Sequence, residues 1–304
     1  MDSKKIRKSL SYLVSWLGLT ICSLIVKVIP ARYLYSFACN LSSLGYLLVA
    51  KQRKVALDNL QIAFGDAKSK AEIQKIAKDS FTLMSKGAVE LLFLMDRPAL
   101  LRKRVELVGK KYLDEALARD KGVILVSAHF GNFPLLMAKL SLEGYKVAGI
   151  MRQMRDTRVE KKFLAKRTKL GIKTIYFLPR TACVNSTIVS LRGNEIVFIP
   201  MDQNFGTGGV FVDFFGRKAA TATGPVVLAQ RTKAALLPCF IVRQPDDSHR
   251  IIFEPQLDLT ETKNAEETVA INIQRLTNII ESYIRKYPAE WGWVHRRWKS
   301  KPNN

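Results

Sequence analysis

The sequence predicts an α/β protein with a mostly parallel central sheet and helices on both faces, preceded by an N-terminal membrane-associating helical segment. Two observations support this class. Short β-branched runs such as residues 123–127 alternate with segments of helical periodicity, which is typical of parallel strands joined by crossover helices. The first 50 residues contain instead two long stretches without a charged side chain.

The N-terminal segment has basic residues at both ends of its uncharged stretches. A basic cluster at residues 4–8 precedes the stretch Ser9–Val26, and a second stretch, Tyr33–Ala50, is followed by a basic cluster at residues 51–54. Each stretch has 18 residues, which is about the minimum for a spanning helix. Because cytoplasmic flanks tend to be basic, we expect a hairpin or a pair of interfacial helices. A single span and two buried helices of a soluble protein are the alternatives.

The remaining chain alternates between helices and strands. Helices are predicted where apolar residues recur at helical spacing between polar or proline starts and glycine or proline stops. These segments are 71–95, 110–119, 133–142, 156–170, 183–191, 225–231 and 267–286. Strands are predicted where short apolar runs lie between turn residues. These runs are 123–127, 146–151, 195–200, 235–242 and 250–254.

No internal repeat or low-complexity linker interrupts this alternation. We therefore assign residues 1–50 to membrane-anchoring or interfacial helices and residues 51–304 to one domain. The four cysteines share no metal or redox spacing, which indicates buried thiols and no metal site.

The charge of the chain indicates an anionic partner. With 49 basic and 26 acidic residues, the net charge is +23, far more than a solvated surface needs. Nucleic acid, an acidic membrane face, an acidic protein and a phosphorylated substrate are the classes that fit. No zinc-finger spacing, RNP-like aromatic signature or basic region leading into heptads is present, and nucleic acid would leave the apolar amino terminus unexplained. The sequence therefore favours a membrane of anionic lipids over nucleic acid.

His129 is the strongest candidate for chemistry. It follows the strand predicted at 123–127, at the sheet edge where ligands of parallel α/β proteins gather. A histidine there, beside Gly131, suits a general base that takes the proton from a hydroxyl. The alternative is a histidine satisfied by a local backbone carbonyl.

Four sequence blocks resemble the late lipid A acyltransferases, the lauroyl and myristoyl transferases of the lysophospholipid acyltransferase superfamily. They occur in the same order as in that family and extend from about residue 51 to residue 299. The blocks are His129-Phe-Gly-Asn-Phe133, the segment 53–64, the central block 201–223 and the C-terminal segment 287–298, which contains Trp291, Trp293, His295 and Trp298.

The resemblance implies an O-acyltransferase at the bacterial inner membrane with its active site on the cytoplasmic face. It implies transfer of a fatty acyl chain from an acyl carrier protein or coenzyme A thioester to a hydroxyl of lipid A or a related glycolipid. We expect no metal and no bound cofactor, because the thioester donor is already activated. The partners are then acyl carrier protein, anionic membrane lipids and the glycolipid acceptor, and residues 51–304 form the acyltransferase domain.

One position departs from the family pattern. The family has a carboxylate five residues after the histidine, where this chain has Pro134. Loss of the equivalent orienting carboxylate costs serine proteases about 10⁴ in rate. Three readings stay open: another carboxylate reaches His129, a backbone carbonyl or water orients the ring, or catalysis is lost and a lipid-binding pseudoenzyme remains. The candidates for the first reading are Asp202, which we rank first, then Asp213 and Glu90.

The other predicted site residues lie at the same edge or beside the histidine. Arg152, with Arg155 as the alternative, is predicted to clamp a phosphate through its guanidinium fork. Asn132, or backbone N–H groups near Phe133, is predicted to stabilise the oxyanion. The remaining predicted substrate contacts are Gly131, Gln203 and Phe215, the last as part of an acyl groove.

Several further expectations concern surface and structural roles. The basic helix 156–170 is expected to be a solvated face or a dock for acyl carrier protein or an anionic bilayer. His249 is expected at the surface in a turn, and His295 ranks far behind His129 as a base. Thr221 and Thr223 are expected to cap the helix at Pro225. For the C-terminal tryptophans, an interfacial aromatic belt and a structural role near the site are both open.

Overall fold

The structure of the protein is a computed structural model that describes residues 3–302, with side chains from residue 12 onward except that of residue 207. Eleven α-helices are present in this part of the chain. They are α1 (Ser3–Val28), α2 (Leu34–Leu48), α3 (Ala50–Phe64), α4 (Lys70–Leu94), α5 (Pro98–Arg104), α6 (Lys110–Leu117), α7 (Phe133–Leu142), α8 (Thr157–Lys169), α9 (Arg180–Arg192), α10 (Gly224–Thr232) and α11 (Ala265–Lys286). The side chains of the basic cluster at residues 4–8 lie outside the described part.

Nine strands form two sheets in the described chain. They are β1 (Val105–Val108), β2 (Val123–Ser127), β3 (Val147–Met151), β4 (Ile172–Tyr176), β5 (Ile196–Pro200), β6 (Val210–Phe214), β7 (Arg217–Thr221), β8 (Ala235–Arg243) and β9 (His249–Phe253). Seven of them form the central sheet in the order β1-β9-β8-β2-β5-β3-β4. All neighbours are parallel except β8 and β9, and β6 pairs with β7 in a separate antiparallel hairpin.

The central strand β2 shows why the sheet is covered on both faces. Every residue of β2 is buried. Because side chains alternate across a strand, Ile124 and Val126 enter one hydrophobic core while Val123 and Leu125 enter the other. Residues of α3, α9, α10 and α11 complete the first core, and residues of α5, α6 and α7 complete the second. The predicted mixed α/β class with a mostly parallel sheet is therefore confirmed.

The sequence analysis did not predict the helices α3 and α5 or the strands β1, β4, β6 and β7. Strands β1 and β4 are the two outer strands of the sheet, and each exposes part of its length. Polar residues such as Glu106 and Lys173 therefore interrupt their apolar pattern. The hairpin of β6 and β7 is also additional, and α9 begins three residues before the predicted start, at Arg180.

The predicted threonine caps of α10 are wrong. Thr223 occupies the N-cap position, but its side chain makes no capping hydrogen bond. The Thr221 hydroxyl donates instead to the carbonyl oxygen of Ala219 and contacts the guanidinium of Arg297. Other helices do have side-chain caps: Ser69 and Glu72 form a capping box at α4, and Asn264 caps α11.

The N-terminal helices pack on the domain with one face only. Val26, Leu34 and Ala38 are buried in the second hydrophobic core, and α2 runs against α4. The opposite face exposes large apolar side chains. These are Leu13, Val14, Leu17, Ile21, Leu24 and Val28 on α1, and Leu41, Leu44, Leu47 and Leu48 on α2.

Within the described residues, no single helix has both the length and the hydropathy needed to cross a bilayer, whereas Ala31–Leu48 and Ala50–Phe64 have them together as a pair bent by 91°.

Candidate active site

The register of two parallel strands brings His129 and Asp202 together. Ser127 of β2 lies directly opposite Pro200 of β5. His129 and Asp202 each follow two residues later, so they leave the sheet at the same level of its carboxyl edge. Arg152 follows the neighbouring strand β3 at this edge as well. The topology therefore collects three of the predicted residues at one place.

Asp202 forms a hydrogen-bonded pair with His129. Its Oδ1 is 2.8 Å from His129 Nδ1, and its Oδ2 accepts a hydrogen bond of 2.7 Å from the indole N–H of Trp291. The carboxylate is 3% exposed, whereas the His129 ring reaches the cavity described below. The structure thus brings the first-ranked carboxylate to the histidine, and it does so from the neighbouring strand.

Electrostatics in this pair favour the charged carboxylate. Burial alone would raise the pKa of Asp202, but the His129 ring and the Trp291 N–H outweigh burial and lower that pKa to about 2. For His129, burial lowers the pKa, and the charge and hydrogen bond of Asp202 outweigh it, so that the pKa is raised above its ordinary value. A carboxylate that accepts from Nδ1–H leaves Nε2 as the basic nitrogen.

Gln203 lies between His129 and His295. Its Nε2 is 3.1 Å from His129 Nε2 and 2.9 Å from His295 Nε2. If both rings carry their proton on Nδ1, the two amide hydrogens of Gln203 donate to both Nε2 atoms. The backbone of Gln203 is fixed as well, because the buried guanidinium of Arg297 donates to its carbonyl oxygen at 3.1 Å. A hydroxyl that approaches His129 therefore has to replace the Gln203 amide.

The C-terminal segment holds the histidine loop through its backbone. Gly131 N–H donates to the carbonyl oxygen of Glu290, and Gly292 N–H donates to that of His129. Phe130 and Trp291 form an isolated antiparallel bridge. Trp291 and Trp293 are 1% and 0% exposed, which favours the structural role over an interfacial aromatic belt.

Glu90 and Asn132 belong to a buried network beside this loop. Glu90 is fully buried and accepts hydrogen bonds from Asn132 Nδ2, from both Nη atoms of Arg243 and from the Tyr35 hydroxyl. His249 Nε2 lies 3.1 Å from the same carboxylate. These charges and hydrogen bonds outweigh burial and lower the pKa of Glu90 to about 2.

This network corrects three expectations. Glu90 does not orient His129, because its oxygens are taken by Asn132, Arg243 and His249. His249 is not at the surface but begins β9 and is 1% exposed. The Asn132 amide, which was expected to face the oxyanion, donates to Glu90 and to the carbonyl oxygen of Gly87 instead.

A large apolar cavity opens beside His129. Its volume is about 670 Å³, and its walls come mainly from α7, β3, α9, β5 and α10. His129, Phe133 and Pro134 form the wall next to the site, and the buried side chains of Met137 and Leu228 lie among the other lining residues. The residue that replaces the family carboxylate thus contributes to the apolar wall. Gly131, Asn132 and Arg155 are not part of the lining.

Three arginines line the cavity, and one of them, Arg167, pairs with Glu160. The guanidinium carbon of Arg152 is 5.3 Å from the ring centroid of Phe177, and that of Arg180 is 5.8 Å from the same ring and 5.5 Å from that of Phe205. Within the described residues, neither guanidinium has an acidic partner. Two cations at one aromatic ring form a candidate anion site. Arg180 was not predicted as a site residue, because it precedes residue 183, where the sequence analysis placed the start of α9.

Two other predicted residues lie outside the site. Phe215, expected in an acyl groove, is 6% exposed and packs against Phe64, Phe214 and Trp293. The prediction fails because the turn between β6 and β7 points this ring into the aromatic core. Asp213 pairs with Lys218 on the exposed hairpin and does not contact His129.

Most basic side chains of α8 have partners inside the protein. Arg167 pairs with Glu160, and Lys166 pairs with Asp96. Lys162 donates to the hydroxyl of Ser23, and Arg158 lies over the ring of Trp16. The helix therefore packs against the N-terminal segment, and Lys161 and Lys169 remain as its basic residues without such contacts in the described chain.

The residues described also contain no group of three His, Cys, Asp or Glu side chains that could hold a metal ion. A histidine–carboxylate pair at the edge of a parallel sheet, beside a large apolar cavity, is an arrangement suited to moving an acyl chain onto a hydroxyl. The fold and the site thus fit the class of enzymes that transfer acyl chains to lipids.

Comparison with known proteins identifies the particular family. The family model of bacterial lipid A biosynthesis acyltransferases matches residues 1–300, and the chain belongs to this family. It is 25% identical to the lipid A biosynthesis lauroyltransferase of Escherichia coli K12 over 302 residues, which cover 96% of this chain and 93% of that protein. The palmitoleoyltransferase of the same organism is 26% identical over 298 residues, covering 96% of this chain and 92% of that enzyme.

More distant similarities extend beyond lipid A. The phosphatidylinositol mannoside acyltransferase of Mycobacterium tuberculosis H37Rv is 26% identical over 191 residues, covering 62% of this chain and 58% of that enzyme. Among solved structures, a 1-acyl-sn-glycerophosphate acyltransferase from Thermotoga maritima is 12% identical with a TM-score of 0.35, over 82% of this chain and 96% of that one.

Proposed function

We propose that the protein transfers a fatty acyl chain from an acyl carrier protein or coenzyme A thioester to a hydroxyl of lipid A or a related glycolipid, with His129 as the base. The observation that carries the proposal is the 2.8 Å contact between Asp202 Oδ1 and His129 Nδ1 beside the apolar cavity. Family membership supports acyl transfer to a lipid acceptor.

The reaction proceeds in two proton-transfer steps. His129 Nε2 takes the proton of the acceptor hydroxyl as that oxygen forms a bond to the thioester carbonyl carbon. The carbon–sulfur bond then breaks, and the imidazolium returns the proton to the departing thiolate. Asp202 keeps the proton on Nδ1 in the resting ring and stabilises the positive ring between the two steps.

Gln203 is the proposed side-chain donor to the oxyanion. Its amide is 3.1 Å from the basic nitrogen and is released when the hydroxyl takes that position. The amide of Asn132 is held by Glu90, so it serves to fix the loop and not to contact substrate. Gly131 contributes through its backbone in the same loop, and N–H groups at the start of α7 are further donors.

The cavity and two of its arginines, Arg152 and Arg180, suit the acyl donor. An apolar cavity of about 670 Å³ can take a fatty acyl chain. Arg152 and Arg180 would hold a phosphate, which both phosphopantetheine of acyl carrier protein and coenzyme A carry. Arg155 does not line the cavity and is the weaker candidate. No metal or bound cofactor takes part in the proposed reaction.

Residues 1–50 are proposed to associate with the cytoplasmic face of the bacterial inner membrane, with residues 51–304 as the acyltransferase domain. The exposed apolar face of α1 and α2 and the net charge of +23 support contact with anionic lipids. The basic face of α8, largely used in internal contacts, supports acyl carrier protein docking less than the sequence indicated.

The alternative is a lipid-binding pseudoenzyme, which the replacement of the family carboxylate by Pro134 would favour. Asp202 weakens this alternative, because it gives His129 a carboxylate partner from another strand. The buried indole N–H on its second oxygen fixes the carboxylate in place.

The test compares the detergent-solubilised wild-type protein with His129→Ala. Labelled acyl thioesters of both donor types are offered with a glycolipid extract, and labelled product lipid is measured. We expect the substitution to reduce transfer about 10³-fold or more, because the base is lost. Val189→Ala on the exposed face of α9 is the control and should keep full activity. A folded wild-type protein that binds lipid but transfers no chain from either donor would establish the pseudoenzyme.

A further inference from the structure

A second cavity lies on the other side of the C-terminal segment from His129. Its volume is about 630 Å³, and it is lined by residues along α3, from Ala50 to Ile62, and by Arg296, Trp298 and Lys299 of the C-terminal segment. We call it the cationic groove, because Lys51, Lys54, Arg296 and Lys299 all line it. None of these residues belongs to the site described above.

The charges of the cationic groove are not balanced. Asp58 is the one acidic residue among its lining residues, and it makes a long contact of 3.6 Å with Lys54, both side chains being exposed. In the described part of the chain, Lys51, Arg296 and Lys299 have no acidic partner. Three to four cations that converge on one cavity repel each other unless an anion binds between them.

The start of α3 adds to the positive field. The groove includes Ala50 and Lys51, the first two residues of α3, and the N-cap residue Val49 supplies no side-chain acceptor. The first N–H groups of a helix and its dipole attract anions, phosphate above all. Cavity, cations and helix end therefore favour the same kind of ligand.

The groove is close to the reacting histidine. Asn59, another lining residue, donates from Nδ2 to the carbonyl oxygens of Trp293 and His295, each at 2.6 Å. The His295 ring is 5.6 Å from the His129 ring, measured between centroids. Only the chain around residues 293–296 thus separates the groove from the site.

The surroundings of the groove suit a lipid. Leu47 and Leu48, the last residues of α2, are 69% and 73% exposed immediately before the groove begins. Trp298 gives the groove itself an aromatic wall. Acyl chains could follow the apolar end of α2 while a phosphate lies among the cations.

We infer that the cationic groove binds a phosphate group of the glycolipid acceptor and thereby presents an acceptor hydroxyl to His129. The inference rests on the proposed function for its acceptor: lipid A is a phosphorylated glycolipid. It assigns the two anionic substrates to opposite sides of His129, the donor phosphate to Arg152 and Arg180 and the acceptor phosphate to the groove.

The experiment reverses two charges in the groove and, in a control variant, two charges far from it. Lys51→Glu with Lys299→Glu is compared with Lys121→Glu with Lys146→Glu. These two control lysines are exposed and lie within two residues of the starts of β2 and β3, at the amino edge of the sheet. Both double variants change the net charge equally. The full-length protein is assayed in detergent micelles with purified phosphorylated glycolipid and with the same lipid after phosphatase treatment.

The groove variant should raise KM for the phosphorylated acceptor roughly tenfold or more, with KM for the thioester donor unchanged. For the dephosphorylated acceptor it should equal the wild-type protein, and the control pair should match the wild-type protein throughout. Equal acceptor KM values for groove variant, control and wild-type protein would overturn the inference. If charge reversal prevents folding, Lys51→Gln with Lys299→Gln gives the same comparison.

A binding measurement separates this inference from the proposed function. Flotation with phosphatidylcholine vesicles, with and without the phosphorylated glycolipid, requires no turnover. If the groove variant binds more weakly only to the vesicles that contain the glycolipid, the phosphate site is supported even if no variant transfers a chain. Weaker binding to phosphatidylglycerol vesicles, with an unchanged acceptor KM in micelles, would assign the groove to bilayer headgroups and overturn the acceptor assignment.

Discussion

At the scale of single residues, the two oxygens of Asp202 have different partners and therefore different effects. One oxygen faces His129 Nδ1, and the other accepts from the indole of Trp291. The indole fixes the rotation of the carboxylate, so the first oxygen can only meet the ring in one orientation. The proposed orienting role, which the resemblance assigns to the position of Pro134, is thus open to a residue that follows β5.

Asp202→Asn should therefore reduce kcat about 10⁴-fold while the protein stays folded. An amide can donate to His129 Nδ1, which moves the ring proton to Nε2 and removes the basic nitrogen. Asp213→Asn, on the exposed hairpin, is the matched control and should leave kcat unchanged. Steady-state kinetics of the two variants decide the matter, and similar kcat values for both would show that Asp202 does not orient the base.

The pH dependence of activity and that of stability should run in opposite directions. His129 acts as a base only when neutral, and its pKa is raised, so kcat/KM should increase as pH rises through a value above about 6.5. The same raised pKa stabilises the fold below about pH 6.5, and that stabilisation is lost as pH rises through the folded value. Rate profiles and urea unfolding over one pH series test both slopes.

Asp202→Asn provides the internal comparison. Without the carboxylate charge, burial dominates and the pKa of His129 should fall, which shifts the acid limb of the remaining activity to lower pH. A wild-type acid limb centred below pH 6.5, or one that does not move in the variant, would contradict the assigned electrostatics.

The sequence allowed us to predict which residues lie close together where their neighbours follow from the register of parallel strands. His129, Asp202 and Arg152 each follow a predicted strand, so their meeting at one edge could be expected. His249 and Glu90 could not be paired in this way. They are 159 positions apart, and their contact depends on how α4 packs against β9.

At the scale of elements, the loop after β2 depends on the close approach of β8. Gly131 has a φ of +55°, and a Cβ at this position would stand 2.1 Å from the carbonyl oxygen of Ile241 in β8. The loop is held from its other side by Glu290 and Trp291. Two elements far apart in the chain thus fix the backbone that carries His129.

Gly131→Ala should destabilise the protein by at least about 3 kcal/mol and abolish transfer. Left-handed backbone costs a residue with a Cβ about 1–2 kcal/mol, and the contact with a backbone carbonyl adds to this. Gly144→Ala is the matched control, because its φ is +92° and nothing lies within 4 Å of its Cβ position. Gly144→Ala should lower the free energy of unfolding only by the cost of the left-handed backbone. Urea unfolding that gives equal losses for both variants would show that β8 does not confine the loop.

The strands missed by sequence analysis all lie outside the centre of the main sheet. Central strands are buried on both faces and leave an apolar run, whereas the outer strands β1 and β4 expose part of each. The hairpin of β6 and β7 lies outside the main sheet and packs against α11. The residue types of the hairpin therefore depend on this packing and show no repeating pattern along the chain.

At the scale of the whole molecule, exposed apolar side chains and cations without an acidic partner concentrate on different elements. Exposed leucines concentrate on α1 and α2, while several cations without an acidic partner line the cationic groove and the apolar cavity. The net charge of +23 indicates an anionic partner, but it does not indicate where that partner binds. The place where an anion binds depends on which cations already have partners inside the protein, as Lys166 and Arg167 of α8 do.

Leu47→Ser with Leu48→Ser should weaken binding to phosphatidylglycerol vesicles roughly 100-fold. Each exposed leucine that enters the lipid contributes about 1.5–3 kcal/mol, so the pair contributes about 3 kcal/mol or more. The loss should persist at high salt, because apolar transfer is not screened, whereas the contribution of the basic residues should fall with salt. Vesicle flotation at two salt concentrations measures both.

Val189→Ser with Val227→Ser is the matched control for this prediction. These valines are 64% and 44% exposed on α9 and α10, outside the N-terminal helices, and their replacement should leave vesicle binding unchanged. An equal loss in both variants would mean that lipid binding follows total apolar surface. If neither variant lost binding, and salt alone released the protein, attraction between the basic surface and the anionic lipid would be sufficient, and the end of α2 would have no part in attachment.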